Sequence, residues 1–456
     1  MPSPVLIVLV SLLAADLLWW LRADCWARRS RHALGWRLLL GLFMGGQIAL
    51  VLWIFGGLVP VVSSLGRPSQ LLSAAAYLWH LLMLPAGWIL VATTGILFWA
   101  WRWGRQLAGW TAPRPWQQTT STEAGPAPFP PPTPVPAVCT GETATRRQFL
   151  GTLTTVTPAL LTGAGMAYSR TQLCQFRIRP MDVRLPNLPP QLDGLRIALV
   201  SDLHVGTFTS GQTVKRVVEE TSRLDADLVL LPGDLINNAL ADLSDALDAV
   251  SNMQSRHGAY LCVGNHDLIE DGAEFIRRVK ARTPLLVNES RGVSIRGQHV
   301  QLLGLPWNRD ETLIASSVRQ LARQIVPGAF PILLAHHPHA FDAAAAVGIP
   351  LTVSGHTHGG QLMLSDTVGF GPLLYRYWSG LYRKPAHNGA SLVVSNGVGN
   401  WFPLRIGAPA EIIHLTLRSV AQTTGRTRRA PLSISSSGPP TLPWTWPVDG
   451  ATMLSG

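Results

Sequence analysis

Two hydrophobic regimes divide the chain. In the first part, apolar residues run without charge: Leu38–Val62 for 25 residues, Leu71–Trp101 for 31 and Gln148–Ser169 for 22. Each run is long enough to cross a bilayer as a helix, and core helices rarely stay apolar all round for so long. Pro4–Leu21 is a shorter candidate, interrupted only by Asp16. After residue 175 the apolar runs shrink to strand length: "LRIALV" (195–200), "ADLVLLP" (226–232), "AYLCVG" (259–264), "VQLLGL" (300–305), "PILLAH" (331–336), "LTVSG" (351–355) and "SLVVS" (391–395). They alternate with segments of helical character such as Thr213–Leu224 and Glu311–Ile325, a pattern that predicts layered sheets covered by helices.

The predicted organisation is a transmembrane region of about three spans at 1–110, a linker at 111–147, a fourth span at 148–169, a catalytic domain at 170–418 and a tail at 419–456. The linker holds nine prolines between Pro113 and Pro136. Such a composition cannot bury a core and predicts an extended cytoplasmic segment. The Ser-, Pro- and Thr-rich tail is expected to be disordered. Pro85 could kink the third span or divide it, and a division would reverse the sidedness of the catalytic domain.

Polar clusters stand where several strand-like runs end. Asp202-Leu203-His204 follows the first, Gly233-Asp234 the second and Gly264-Asn265-His266-Asp267 the third; His336 and Gly355-His356-Thr357-His358 follow later ones. The carboxyl ends of strands form the ligand crevice of open α/β sheets, so these residues are expected to converge. Singly, each has a plain structural reading as a turn or cap residue. Together they suit hydrolysis by two metal ions, which clamp a phosphoryl group and activate a shared water. Asp234 is the expected bridging carboxylate, with Gly233 before it because a side chain there would crowd the metals.

Composition adds a topology signal. The 456 residues are 47% hydrophobic and 14% charged, with a net charge of +11. Residues 175–418 hold 22 Lys and Arg against 21 Asp and Glu, a net of only +1. The excess lies beside the apolar runs, at Arg22, Arg28, Arg29, Arg31 and Arg37, then Arg102, Arg105, Arg114, Arg146 and Arg147, with Arg426, Arg428 and Arg429 in the tail. This points away from nucleic acid. With those arginines cytoplasmic, the domain after Tyr168 faces the exterior, and the chain is expected to be a multipass bacterial inner-membrane protein with a periplasmic domain. "TRRQFLG" (145–151) resembles a twin-arginine export signal, which would make the export machinery a partner. Arg146 and Arg147 serve equally as positive-inside anchors. The four cysteines form no CxxC and no disulfide framework, and Cys262 reads as core packing.

Asp-x-His, Gly-Asp, Gly-Asn-His-Asp, a single His and Gly-His-x-His, in that order after successive strands, resemble the signature of the calcineurin-like metallophosphoesterase superfamily. The resemblance covers about Leu195–Leu417 and extends to its exported or membrane-tethered bacterial branch through "SGLYRKP" and "SNGVGNWFPLRIGAPAEI". It implies an α/β sandwich of two sheets flanked by helices. It further implies that Asp202, His204, Asp234 and His358 hold one metal, and that Asp234, Asn265, His336 and His356 hold the other. His266 would then act on the leaving oxygen, with Asp267 orienting its ring. His336 is preferred to His337 because the family's ligand lies two residues before the proline. Two departures from the branch, His339 and Asn237 where acidic residues are usual, bear on substrate fit and not on metal binding. The donor set suits Mn²⁺, Fe or Zn²⁺ and disfavours Ca²⁺.

The expected activity is hydrolysis of phosphoesters by metal-activated hydroxide. The short distance from the fourth span to the first catalytic strand holds the site near the bilayer. Rings and cations between Gly369 and Trp401, among them Trp378, Tyr382 and Arg383, suit a headgroup zone or simply pack the domain's edge. Lipid or envelope phosphoesters are the expected substrates. A UDP-diacylglucosamine-type pyrophosphatase is the alternative for a cytoplasmic domain, and an inactive membrane scaffold or sensor is the alternative from another class.

Overall fold

The computed structural model describes residues 4–55, 68–111 and 146–420. The linker and tail expected from the sequence lie almost wholly outside these residues. The described residues belong to one compact unit.

The amino-terminal part is helical: α1 (Pro4–Ala27), α2 (Ala33–Phe55), α3 (Gln70–Leu78), α4 (Leu84–Thr111) and α5 (Arg146–Gln172). Among the described residues, two continuous helical stretches, Ala33–Ile54 and Gln70–Gln106, are long and apolar enough to cross a membrane. The sequence predicted four spans. Helix α1 carries Asp16 and Arg22 within it, and α5 carries Arg170 and Pro158. Both nevertheless pack with the two apolar helices: Trp19 and Ala23 of α1 are buried against Met44 and Trp79, and Pro158 of α5 lies against Gly87.

Pro85 does not divide its helix. A π-helical turn, Trp79–Met83, joins α3 to α4, and the Leu84 N–H donates to the carbonyl of Trp79, five residues back. The wider turn accommodates a proline that cannot donate and would crowd an α-helical turn. Asp16 sits at the same place, buried, accepting Trp79 Nε1–H at 2.8 Å and lying 2.9 Å from His80 Nε2.

The remaining chain forms two sheets. Five strands, β1 (Arg177–Leu185), β2 (Arg196–Leu199), β3 (Leu228–Pro232), β4 (Ala259–Cys262) and β13 (Glu411–Ser419), run in the order β1-β13-β2-β3-β4. Six others, β5 (Glu289–Ile295), β6 (Gln298–Gly304), β7 (Phe330–Leu334), β8 (Leu351–Ser354), β11 (Gly380–Lys384) and β12 (Ala390–Val394), run β11-β12-β8-β7-β6-β5. A small hairpin, β9 (Met363–Ser365) with β10 (Val368–Gly369), stands apart. All seven strand-like runs of the sequence are strands here.

The central strands β2, β3 and β4 are parallel, as are β6, β7, β8 and β12. Their carboxyl ends carry the polar clusters. Ile197, Leu199, Leu228 and Leu230 of one sheet meet Leu302, Ile332, Leu334 and Val353 of the other in a shared core. The opposite faces are covered by helices α6 (Gly211–Arg223), α7 (Leu243–Asn252) and α8 (Gly272–Lys280) on the five-stranded sheet. Helices α9 (Glu311–Ala322) and α10 (Ala340–Ala346) cover the six-stranded one. Layering both faces leaves the strand ends as the open edge, which fixes the place of the site. The arrangement is the two-sheet α/β sandwich expected, and the apolar helices before it fit a transmembrane region.

Candidate metal centre

The loops that end β2, β3, β4, β7 and β8 meet at one point. Asp202, His204, Asp234, His356 and His358 all have left-handed backbone, with φ between 43° and 72°. Non-glycine residues adopt this region at a cost, and such strain concentrates at functional sites. The surroundings leave no alternative path. A Cβ on Gly264 would overlap the Asp234 carboxylate, and one on Gly233 would lie 2.7 Å from both the Gly264 nitrogen and His336 Nδ1. What a side chain at Gly233 would crowd is the neighbouring loop and His336.

The donor atoms gather in two groups on either side of Asp234, and a further group, His204-Asp234-His266, links them. In the first, His358 Nε2 lies 3.5 Å from Asp202 Oδ1 and 3.0 Å from His204 Nε2, and His204 Nε2 lies 3.6 Å from Asp234 Oδ2. In the second, His336 Nε2 lies 3.1 Å from Asp234 Oδ2 and from Asn265 Oδ1, while His356 Nδ1 lies 2.9 Å from Asn265 Oδ1 and 3.2 Å from His336 Nε2. Two imidazole nitrogens 3.0 Å apart repel through their lone pairs unless a proton or cation lies between them. The residues thus fit metal ions, with Asp234 Oδ2 3.6 Å from His204 Nε2 and 3.1 Å from His336 Nε2.

Electrostatics favours the same reading. Burial pushes His204, His356 and His358 well below the ordinary histidine range, with neighbouring His336 adding to the effect at His356 and Arg405 at His358. They are neutral, the form that ligates. Burial opposes charge on Asp234 too, but His336 and His204 hold its carboxyl below the usual carboxylate range. His336 goes the other way, up to about 9 despite burial, because Asp234 lies against it. Its Nδ1–H donates to the carbonyl of Pro232 at 2.7 Å, which leaves Nε2 to face the site. Burial raises Asp202 to about 6, opposed by His336 and by the hydrogen bond from Ser201.

Asp267 takes a place that differs from the expectation. The His266 N–H donates to Asp234 Oδ1 at 2.8 Å, and its Nδ1 is engaged by the carbonyl of Asn237. Asp267 does not orient the His266 ring. It points under the neighbouring turn and accepts the N–H groups of Asp234, Leu235, Ile236 and Gly264 at 2.8 to 3.2 Å. At Asn237 it is the main-chain carbonyl, not the side chain, that holds His266. His339 faces Glu311 and the Arg376 backbone, not the ligands. His337, pushed down to about 3 by burial, stacks between Trp307 and His356.

Three contributors were not singled out from the sequence. The guanidinium of buried Arg405 lies 2.8 Å from His358 Nδ1 and donates to the carbonyls of Asn396 and Gly399, tying His358 to the loop after β12. Trp307, after β6, covers His336 and His356 with ring centroids 5.4 and 5.0 Å away. Leu81 and Leu82, from the π-helical turn between α3 and α4, reach the site itself. With Asp234, Asn265, His266, His356, His358, Phe370, Leu374, Tyr375, Trp401 and Phe402 they line one cavity of about 410 Å³. Trp378, Tyr382 and Arg383 are not in this lining. The Tyr382 hydroxyl accepts the N–H of Trp378, and Trp378 packs on Gly371, so they brace the sheet edge.

Residues 195–360 match the family model described as calcineurin-like phosphoesterase. The chain is 30% identical over 261 residues to a transmembrane protein with metallophosphoesterase domain from Danio rerio, covering 52% of this chain and 57% of that one. It is 31% identical over 250 residues to an uncharacterized metallophosphoesterase of Helicobacter pylori strain J99, covering 54% and 65%. It is 27% identical over 295 residues to the uncharacterized metallophosphoesterase YkuE of Bacillus subtilis, covering 60% and 98%. The match thus spans about six-tenths of the first two relatives' own length.

Proposed function

Since the chain carries a calcineurin-like phosphoesterase domain, we propose that it is a membrane-bound hydrolase that uses two metal ions to cleave phosphoesters of lipids or lipid-linked envelope components. Asp202, His204 and His358 would hold one ion and Asn265, His336 and His356 the other, with Asp234 shared. Bound there, Mn²⁺, Fe or Zn²⁺ would neutralise the phosphoryl oxygens and lower the pKa of a water to give the attacking hydroxide.

The chain's own groups do the rest. Asp267 fixes the turn that presents Asp234, and Arg405 fixes His358. His266 is held at Nδ1 by Asn237, which leaves Nε2 as the nitrogen able to give a proton to the leaving oxygen. The leaving group departs as an alcohol.

The observation that supports a lipid substrate is the composition of the cavity. Its lining combines the candidate metal ligands with the apolar side chains of Leu81, Leu82, Phe370, Leu374, Trp401 and Phe402, the first two on a helix apolar enough to span a membrane. A phosphoester attached to an acyl chain suits both kinds of lining, whereas a free nucleotide would leave the apolar side chains wet. The arginine distribution supports an exterior domain, and both the export and the anchor readings of Arg146 and Arg147 agree with that side.

The test reconstitutes the full chain in vesicles with Mn²⁺. It compares a long-chain lipid phosphoester, a UDP-linked glycolipid, a cyclic nucleotide and single-stranded DNA. Preference for the lipid phosphoester is the expected result. Faster cleavage of either soluble substrate contradicts the lipid assignment, and no turnover with any metal supports an inactive scaffold.

A further inference from the structure

The segment that follows the last metal ligand is built to sit in lipid. Hairpin β9–β10 and helix α11 (Phe370–Leu374) present Leu364, Val368, Phe370, Leu373 and Leu374 outward. Leu364 is 86% exposed, Leu373 73% and Leu374 61%. Large exposed leucines clustered on one element mark an interaction surface.

The element is not loosely attached. Met363 is buried, accepts the Gly371 N–H on its sulfur at 3.2 Å and donates its own N–H to the Ile406 carbonyl at 2.8 Å. The Trp378 ring closes over Gly371, where a Cβ would come within 2.6 Å of it. The edge aromatics therefore support this segment from behind. Its charge is confined to Asp366 in the turn between the two strands.

Its position identifies the occupant. Leu362, at its start, packs with Leu78 and Leu82 of the membrane helix and with Phe402 and Leu404. Phe370 and Leu374 share the catalytic cavity with Leu81, which is itself 51% exposed. A row of exposed apolar side chains thus runs from the membrane helix, past the mouth of the cavity, to the hairpin.

We propose that residues 362–374 form a second membrane contact that dips into the outer part of the same bilayer as the apolar helices and, with Leu81, makes the rim across which a lipid enters the cavity. The insertion stands on exposure and continuity; only its role at the rim rests on the lipid reading above. Burying the faces of Leu364 and Leu373 in hydrocarbon gains the transfer energy of two leucines, enough to hold a short element at an interface already tethered by helices.

The experiment places a nitroxide label at Leu364→Cys or Leu373→Cys in the full chain, with Cys25, Cys139 and Cys174 replaced by serine. Cys262 is buried and stays. A third label at Gln320→Cys, on α9, serves as the control in water. In vesicles of phosphatidylethanolamine and phosphatidylglycerol, labels at 364 and 373 should collide at least several-fold more with oxygen than with a water-soluble nickel chelate, relative to the label at 320. Water-like collision rates at both positions overturn the proposal. So does shielding from both reagents, with label-to-label broadening, which would assign the surface to a second copy. Membrane-like rates without lipid cleavage would refute the substrate reading alone, and lipid cleavage with water-like rates would refute this proposal alone. In parallel, the double variant Leu364→Asp, Leu373→Asp should cleave a vesicle-borne lipid phosphoester at least tenfold more slowly. Its turnover of bis(p-nitrophenyl) phosphate should stay unchanged, and equal loss on both substrates counts against the rim.

Discussion

The carboxylate of Asp267 lies 3.0 Å from the backbone nitrogen of Asp234 and accepts its N–H. Three more backbone donors, from Leu235, Ile236 and Gly264, converge on the same two oxygens. Burial and the Asp234 charge push the Asp267 carboxyl up to about 7, and the donors pull it back. The turn that presents Asp234 is therefore held by a carboxyl group buried beneath it.

Asp267→Asn puts an amide N–H₂ among backbone donors and leaves at least one of them unpaired. The expected cost is about 1–3 kcal/mol of stability, together with weaker metal retention because Asp234 is no longer fixed. Thermal unfolding of the metal-free and Mn²⁺-loaded protein measures both. Unchanged metal stoichiometry and turnover would show that the turn holds itself.

His266→Ala should behave differently. Its N–H bond to Asp234 is a backbone contact and survives the substitution, so metal content should remain while turnover falls about 10²–10⁴-fold, the usual contribution of a positioned general acid. The loss should be smaller for substrates with good leaving groups such as p-nitrophenolate. A His266→Ala protein that purifies without metal would make the residue a ligand instead.

Metal uptake should depend on pH through His336. In the metal-free site Asp234 holds this imidazole protonated up to about pH 9, above the ordinary histidine value. A cation must displace that proton, so affinity at the second group should rise with pH up to about 9 and fall roughly tenfold per unit below it. Calorimetric titration with Mn²⁺ at two pH values a unit apart below that point, in buffers of different ionisation enthalpy, reads both affinity and proton release. A pH-independent affinity without proton release contradicts the assignment of His336.

Asp16 joins the amino-terminal helices to the site by a longer route. It engages Trp79 and His80 in the π-helical turn, and the next two residues, Leu81 and Leu82, line the cavity. Asp16→Leu leaves both partners without their acceptor, at a cost of about 3–5 kcal/mol for a broken buried pair. Cleavage of a vesicle-borne lipid phosphoester should fall several-fold, with the soluble diester less affected. Equal effects on the two substrates would mean that Asp16 matters only for folding.

The convergence of the polar blocks was legible in the sequence because each follows a strand with an apolar run. Strands β1 and β13 were not legible. "RIRPMDVRL" and "EIIHLTLRS" carry charges that the fold pairs internally, Glu411 being buried and bridged by Arg177 and Arg179. Asp267 was assigned to its neighbour His266, but in three dimensions it serves a turn 33 positions earlier. The Asn237 contact uses a carbonyl, which leaves no trace in residue type. Arg405 lies 47 positions from His358, and the two leucines at the cavity come from a helix read only as a span. Contacts made by main chain, or between distant loops, carry no local pattern.

The most direct test counts metal and turnover together. Full-length protein and its Asp234→Asn variant are stripped, reloaded with Mn²⁺ and analysed by elemental mass spectrometry beside phosphodiester hydrolysis. The account predicts two ions per chain and metal-dependent turnover for the native protein, and loss of both ions and of activity in Asp234→Asn, because one carboxylate serves both groups. Full activity with a single ion, or an Asp234→Asn protein that keeps both ions, would contradict a shared two-metal centre.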